Sequence, residues 1–400
     1  MKNLLLCGAA ALALVACGGQ DTGTSSYEQD QSTEAAPEAV AAPASAELGD
    51  WGIELSDMKM EVSPGDDFFR HVNGKWLDTF EIPAEFSNYG SFTVLFERSE
   101  ARVKQIIEDS AAADAANGTV KQKIGDFYAS FLDTDAINAR GLSVVEADFA
   151  AIDALETHED VARAFANVEL GVSAPFSAFV NVDSKQPDRY ITYIGQSGLG
   201  LPNKNYYFDD NFADKRAAYQ VFLSDLMALA GEENTEERAA AVYALEEAIA
   251  NVHWEPAKRR NRDLTYNLYT IDELQEYAPS FPWSVMMEQV GLGEETEFVL
   301  RENDAVQGAG AIFRNTPVDV WKDYFKVHYL FNNASVLPSE IDDRTFAFFG
   351  KELRGVPEQR ERWKRGVAAV NGTLGEAVGQ VYVAEYFPPE SKAKMEELVD

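Results

Sequence analysis

The sequence predicts a mainly α-helical protein with one small β-hairpin, and three observations predict it. Asn234 to Val252, NTEERAAAVYALEEAIANV, opens with an Asn cap and a Glu three residues on, then sets Val242, Leu245, Ile249 and Val252 at spacings of three and four, the period of an amphipathic helix. Thr270 to Glu273 repeats the capping-box pattern ahead of Leu274 and Tyr277, and Trp321, Tyr324, Phe325, His328 and Tyr329 make a second helical stripe. Against these stand two β-rich runs, Phe176 to Val182 and Tyr190 to Ile194, separated by DSKQPDR, whose Pro187-Asp188 suits a hairpin turn. No solenoid period interrupts this layout.

A chain of 400 residues has room for two or three domains, and a hydrophobic fraction of 46% supplies sizeable cores. With 67 acids against 34 basic residues the net charge is −33. That charge opposes bulk attraction to nucleic acid or an anionic bilayer, both of which depend on clustered Lys and Arg. Small or peptide-like partners fit better.

The first seventeen residues, MKNLLLCGAAALALVAC, carry Lys2, an apolar run from Leu4 to Ala16 and no acid. This is the layout of a secretory signal, and the run is too short to span a bilayer. It ends in Leu14-Val15-Ala16-Cys17 followed by Gly18-Gly19, which resembles the bacterial lipobox and implies lipidation of Cys17 at a bacterial envelope membrane, on its periplasmic or extracellular face. Cys7 and Cys17 are the two cysteines of the chain, so the mature protein is left without a thiol for a disulfide or a Cys-ligated metal. Residues 18–57 are rich in Ala, Ser, Thr, Glu, Gln and Pro with almost no large apolar side chain before Trp51, and so form a tether rather than a core. Residues 58–400 are the folded region. Its first stretch, SPGDDFFRHVNGKWLDTFEIP, places Asp66 and Asp67 before Phe68 and Phe69 and offers a turn at Asn73-Gly74; a packed, capped helix end followed by a turn is the plain expectation.

The search for chemistry returns mostly exclusions. No phosphate-binding G-x-x-x-x-G-K-[ST] loop and no G-x-S-x-G elbow occurs. The histidines are His71, His158, His253 and His328, none followed four residues on by another, so no helix presents a zinc-binding His pair on one face. The run HEDVA at His158 has Ala162 where a second His is needed. His328 on its apolar stripe and His71 beside two phenylalanines read as structural. Carboxylates are too abundant for any pair to single itself out as an acid/base dyad. The cluster KRRNRD, Lys258 to Asp263, is either an anion site or a set of cations paired with carboxylates at helix ends, and the acidic composition favours the second.

Five ordered blocks carry a resemblance. PGDDFFRHVNGKWLDTFEIPAEFSNYGSF, QSGLGLPNKNYYFDD, RDLTYNLYTIDEL and the long RWKRGVAAVNGTLGEAVGQVYVAEYFPPESKAKMEELV resemble, in order, the P-x-x-D-F-[FY] to N-G-x-W start and I-P to Y-G block, the G-L-P-x-x-x-Y-Y segment, the Y-N-x-x-T-x-x-E-L segment and the W-K-R to F-P-x-x-x-K block of the neprilysin-like zinc metallopeptidases, family M13. The resemblance covers roughly Pro64 to Asp400. It implies the large, mainly helical, substrate-enclosing N-terminal region of a two-domain enzyme, whose cavity wall admits short peptides and excludes folded proteins. The family's zinc ligands, H-E-x-x-H and a downstream E-x-x-x-D, have no counterpart in these 400 residues, so zinc is expected of the full-length enzyme and none of this chain, which by itself is expected to be inactive. The remaining catalytic domain of the same polypeptide, short peptide substrates and a lipid bilayer through Cys17 are the implied partners, and nucleic acid is not.

The resemblance also implies one substrate contact. Neprilysin members carry an arginine just before the Tyr-Gly of the second motif, where it grips a peptide's free carboxylate; here that place is Asn88. An amide can donate a hydrogen bond but brings no cation, which points to endopeptidase preference. The alternative role for Asn88 is to shape the turn ahead of Tyr89-Gly90. A lipid-anchored, non-catalytic helical peptide-binding or adaptor protein is the alternative reading of the whole chain.

Overall fold

A computed structural model describes residues 54–399. Cys17, the signal segment 1–17 and the tether up to residue 53 lie outside the described residues. These fall into two compact units, 54–88 and 89–399.

In the first unit, the Phe68–Thr79 helix is capped by Asp67, whose side chain accepts the Arg70 N–H at 2.8 Å, as the paired aspartates predict. The predicted turn at Asn73-Gly74 is instead inside this helix. Gly74 is needed there because a Cβ at that position would stand 2.5 Å from Lys59 Cβ, so the close passage of the preceding segment outweighs glycine's low helix propensity. Lys59 and Arg70 both pair with Asp78, and Trp76 stacks on Phe80 with ring centroids 4.6 Å apart. Phe68 and Phe69 are exposed, contrary to the packed end the sequence suggests.

Among the described residues, the second unit is built of helices around two main apolar cores, with a third, minor cluster of Ile191, Tyr193 and Val299 on the strands. The smaller main core joins the Ser91–Ala112, Val120–Leu132 and Arg362–Tyr386 helices through Ile106, Ile107, Ile124, Val367 and Val370. Gly125 permits this approach, because a Cβ there would meet Ala111 Cα at 2.7 Å. Both oxygens of buried Glu100 accept from Arg360 Nη2, each at 2.7 Å, a charge-assisted pair that satisfies the carboxylate.

The larger core gathers Trp283, Trp321, Phe222, Phe281, Phe313 and Phe325 with the apolar faces of the Ala213–Leu229, Thr235–Val252 and Val318–Asn332 helices. The stripes read from the sequence face this core: Val242, Ile249, Trp321, Tyr324, Phe325 and His328 are all buried. One cap differs. Asn234 lies at φ 54°, ψ 40° and makes no side-chain cap bond, because a residue that tolerates left-handed backbone is used there to turn the chain into the helix. Thr270 and Glu273 do form the predicted reciprocal capping box.

A four-stranded sheet of β1 (Phe176–Asp183), β2 (Gln186–Gln196), β3 (Asn267–Thr270) and β4 (Glu297–Leu300), in the order β1-β2-β4-β3, lies against this core. β1 and β2 form the predicted hairpin. The turn falls at Ser184-Lys185, not at Pro187-Asp188. Buried Asp183 decides this, since its Oδ1 accepts the N–H groups of Lys185 at 2.9 Å and Gln186 at 3.3 Å, an aspartate turn that closes the loop early. β3 pairs antiparallel with β4, which runs parallel to β2. No described helix is long and apolar enough to cross a membrane.

Candidate functional site

The segment Gly198–Phe208, GLGLPNKNYYF, is fixed to the helical core through one carboxylate. Glu246 sits on the apolar face of the Thr235–Val252 helix and is fully buried. Its Oε2 accepts the Tyr207 hydroxyl at 2.6 Å and the Gly200 N–H at 3.2 Å; its Oε1 accepts the Tyr219 hydroxyl at 2.9 Å and His328 Nε2 at 2.7 Å. With Nε2–H donating to the carboxylate, His328 Nδ1 is left to face Ser173 Oγ at 3.0 Å. Tyr324 completes the cluster by packing its ring against His328, tilted by 36° with centroids 4.0 Å apart, and donating its hydroxyl to the Gly198 carbonyl at 2.9 Å.

Gly198 has φ +92°, and a Cβ on Gly200 would collide with the Tyr219 hydroxyl. Both glycines are therefore required by the route the chain takes past the carboxylate. Burial first, and the neighbouring Glu246 charge second, push the hydroxyl pKa values of Tyr207, Tyr219 and Tyr324 well above the usual tyrosine range, so all three remain donors. Closed off from solvent, the cluster cannot meet a substrate. Its work is to position the 198–208 segment.

A second junction follows the same helix. Gln196 clamps Trp254, its Oε1 accepting the Trp254 N–H at 2.7 Å and its Nε2 donating to the Trp254 carbonyl at 3.4 Å. Fully buried Glu302 accepts the Gln196 N–H at 3.1 Å and Arg259 Nε at 2.9 Å. Of the KRRNRD cluster, Arg259 thus pairs with Glu302 and Lys258 with Asp304 at 3.7 Å, while Arg260 and Arg262 make no ion pair among the described residues. The pairing expected from the acidic composition is found for two of the four cations. His253, beside this junction, is buried and its Nε2 has no hydrogen-bond partner among the described residues. Burial, then the nearby Arg259 charge, push its pKa down to about 4.

The other predicted residues stand apart. Asn88 is exposed and its side-chain amide donates to Ser87 Oγ at 3.3 Å. His71 Nδ1 meets the Val62 carbonyl at 2.7 Å, and His158 Nε2 the Thr316 carbonyl at 2.9 Å, both structural partnerships. Among the described residues, no group of three or more His, Cys, Asp and Glu side chains is placed to hold a metal ion, so they do not fit a zinc site. A surface cavity of about 610 Å³ lined by Asp153, Glu232, Arg238, Asp319, Lys322 and Asp323 is rich in carboxylates. Arg238 pairs with both Glu232 and Asp323, and Lys326 with Asp153 and Glu232, so it is an ion-pair network.

Comparison with known proteins places this arrangement in a family. The model for the N-terminal region of peptidase family M13 matches residues 64–400. The chain belongs to peptidase family M13. Mouse endothelin-converting enzyme-like 1 is 27% identical over 364 residues, covering 86% of this chain and 47% of the relative; human endothelin-converting enzyme 1 is 25% identical over 365 residues, covering 86% and 46%. The chain therefore spans about half the length of these relatives. The inhibitor complex of the Mycobacterium tuberculosis zinc metalloprotease Zmp1 superposes with a TM-score of 0.82 at 35% identity, over 87% of this chain and 54% of that one. PepO of Lactobacillus rhamnosis, at 17% identity and a TM-score of 0.69 over 84% of this chain and 54% of that one, shares the fold. The M13 block QSGLGLPNKNYYFDD lies at both junctions just described, with Gln196 at the second and Gly198, Gly200 and Tyr207 at the first.

Glu246 was not singled out by sequence reasoning. Its signal was present: four residues after Val242 and three before Ile249, it occupies the apolar stripe, where a carboxylate must find donors.

Proposed function

We propose that this chain forms the N-terminal, substrate-enclosing part of an envelope-anchored zinc metalloendopeptidase that hydrolyses short peptides. Its wall limits substrate size, and Cys17 carries the lipid anchor. The family match across residues 64–400, by a chain about half as long as its relatives, carries this reading. The zinc ligands and the H-E-x-x-H motif belong to sequence beyond residue 400. When bound there, zinc would polarise the scissile carbonyl and activate water. The residues of this chain contribute enclosure and substrate contact, and the buried Glu246 and Glu302 junctions keep the enclosing segments in place.

The test is to read the gene beyond residue 400, express the complete product, and assay a short quenched peptide and a folded protein with and without chelator. Chelator-sensitive cleavage of the peptide alone is expected, whereas the 400-residue chain by itself should take up no stoichiometric zinc. A frame lacking H-E-x-x-H, or a complete product that cleaves both substrates alike, would overturn the reading.

A further inference from the structure

β1 is an outer strand of the sheet, hydrogen-bonded on one side by β2. The register identifies its open backbone groups. Ser197 N–H donates to the Pro175 carbonyl at 3.1 Å, and Phe176 stands opposite Gln196. Hydrogen-bonded pairs therefore recur at Ser177, Phe179 and Asn181, and the N–H and C=O groups of Ala178, Val180 and Val182 point away from β2. Val182 is closed off, its N–H by Asn181 Oδ1 at 2.7 Å and its carbonyl by the Tyr193 hydroxyl at 3.1 Å. Ala178 and Val180 have no such partners among the described residues.

Natural edge strands are ordinarily blunted by Lys, Pro or a covering element. Residues 176–182, FSAFVNV, contain neither Lys nor Pro, and Val180, Val182 and Tyr190 expose apolar surface on one face. On the opposite face, Phe179 stacks on Tyr193, and the Arg301 guanidinium carbon lies 6.0 Å from the Phe179 ring centre. Arg301 reaches this place across Gly195, where a Cβ would come 3.6 Å from its Cδ. It is half-buried and makes no ion pair among the described residues, in a chain where acids outnumber bases 67 to 34.

We propose that the open edge of β1 binds an extended peptide as an additional strand. An acidic peptide side chain opposite Phe179 meets Arg301, and the apolar side chains flanking it meet the Val180 and Tyr190 face. Main-chain bonds to Ala178 and Val180 supply affinity while the alternating contacts supply selectivity. A second copy of the chain is the poorer occupant. Edge-to-edge pairing of two β1 strands would bring the two Arg301 side chains together and join bodies each of charge −33. The inference concerns binding and does not rest on the peptidase reading.

The test is binding of fluorescein-labelled acetyl-Thr-Val-Glu-Val-Thr amide to the 400-residue chain, beside the same peptide N-methylated at both valines and one with Gln in place of Glu. Placed opposite Ala178 and Val180, the valines exchange the main-chain bonds, so N-methylation should weaken binding about tenfold or more. Arg301→Gln should weaken the Glu peptide about fivefold and leave the Gln peptide unchanged. Val180→Pro should abolish binding without loss of circular dichroism, because the removed N–H is not a ladder donor. Equal binding of the methylated peptide would overturn the proposal even if Val180→Pro failed to fold. So would absence of binding at about 1 mM, or a dimer, dispersed by Val180→Pro, that takes up no peptide.

Discussion

His328 Nε2 lies 2.7 Å from Glu246 Oε1, joining the Val318–Asn332 and Thr235–Val252 helices inside the larger core. The same carboxylate holds Gly200, Tyr207 and Tyr219, so a single side chain satisfies four donors from three other segments. Glu246→Gln keeps the shape but turns an amide donor toward these donors, and should destabilise the chain by about 1–3 kcal/mol. Glu246→Ala, which strands all of them, should cost about 3–5 kcal/mol. Urea denaturation with an unchanged m-value is the measurement. A loss below about 0.5 kcal/mol for Glu246→Gln would show that the cluster is not what holds the segment.

The helical stripes and the hairpin were legible in the sequence because each is a local periodicity facing one core. What escaped was set by distant partners. The Asn73-Gly74 pair reads as a turn until Lys59 is seen to pass against Gly74. The hairpin closes at Ser184-Lys185 because Asp183, itself held by Tyr266 and Arg189, captures the turn N–H groups first. β3 and β4 have four residues each, too few to show a period. Glu246 carried a readable anomaly, a charge on an apolar stripe, but its partners come from three other segments. The family blocks were legible as words, and the junctions at Glu246 and Glu302 give one of them, QSGLGLPNKNYYFDD, a physical reason.

The anchor proposed at Cys17 rests on Leu14-Val15-Ala16-Cys17 and the polar stretch that follows. Cys17→Ser should move the protein from the membrane fraction to the soluble envelope fraction, since a thioether-linked lipid supplies the apolar area that holds a tethered protein on a bilayer. Fractionation followed by immunoblotting decides it, and unchanged membrane retention would remove Cys17 from the account.

Asn88 is exposed and lightly held by Ser87, so substitution there should leave stability within about 0.5 kcal/mol. In the complete enzyme, Asn88→Arg should raise cleavage of free-acid peptides over their amidated counterparts, about fivefold or more, because a guanidinium grips a carboxylate through two parallel hydrogen bonds. The readout is the ratio of kcat/KM for matched peptides. A ratio indifferent to the substitution would place Asn88 outside the substrate contact.

His253 gives a pH dependence whose sign follows from burial. Its folded-state pKa is pushed down to about 4 by loss of solvent and, secondarily, by Arg259, whereas an unfolded-chain histidine titrates near about 6.5. Between those values the unfolded chain binds the extra proton, so stability rises with pH; equivalently, it is lost as pH falls from about 6.5 toward about 4. The full contribution is on the order of 3 kcal/mol, spread across that window. Because many carboxylates in this acidic chain also begin to titrate near the lower end, the informative quantity is a difference. Wild type and His253→Gln should be unfolded in urea at several pH values from about 7.5 to about 4.5, and the wild type should lose stability faster as pH falls, because Gln cannot take up a proton. Parallel curves would mean that the folded His253 is protonated as readily as the unfolded one, and that its buried Nε2 finds a stabilising partner when charged.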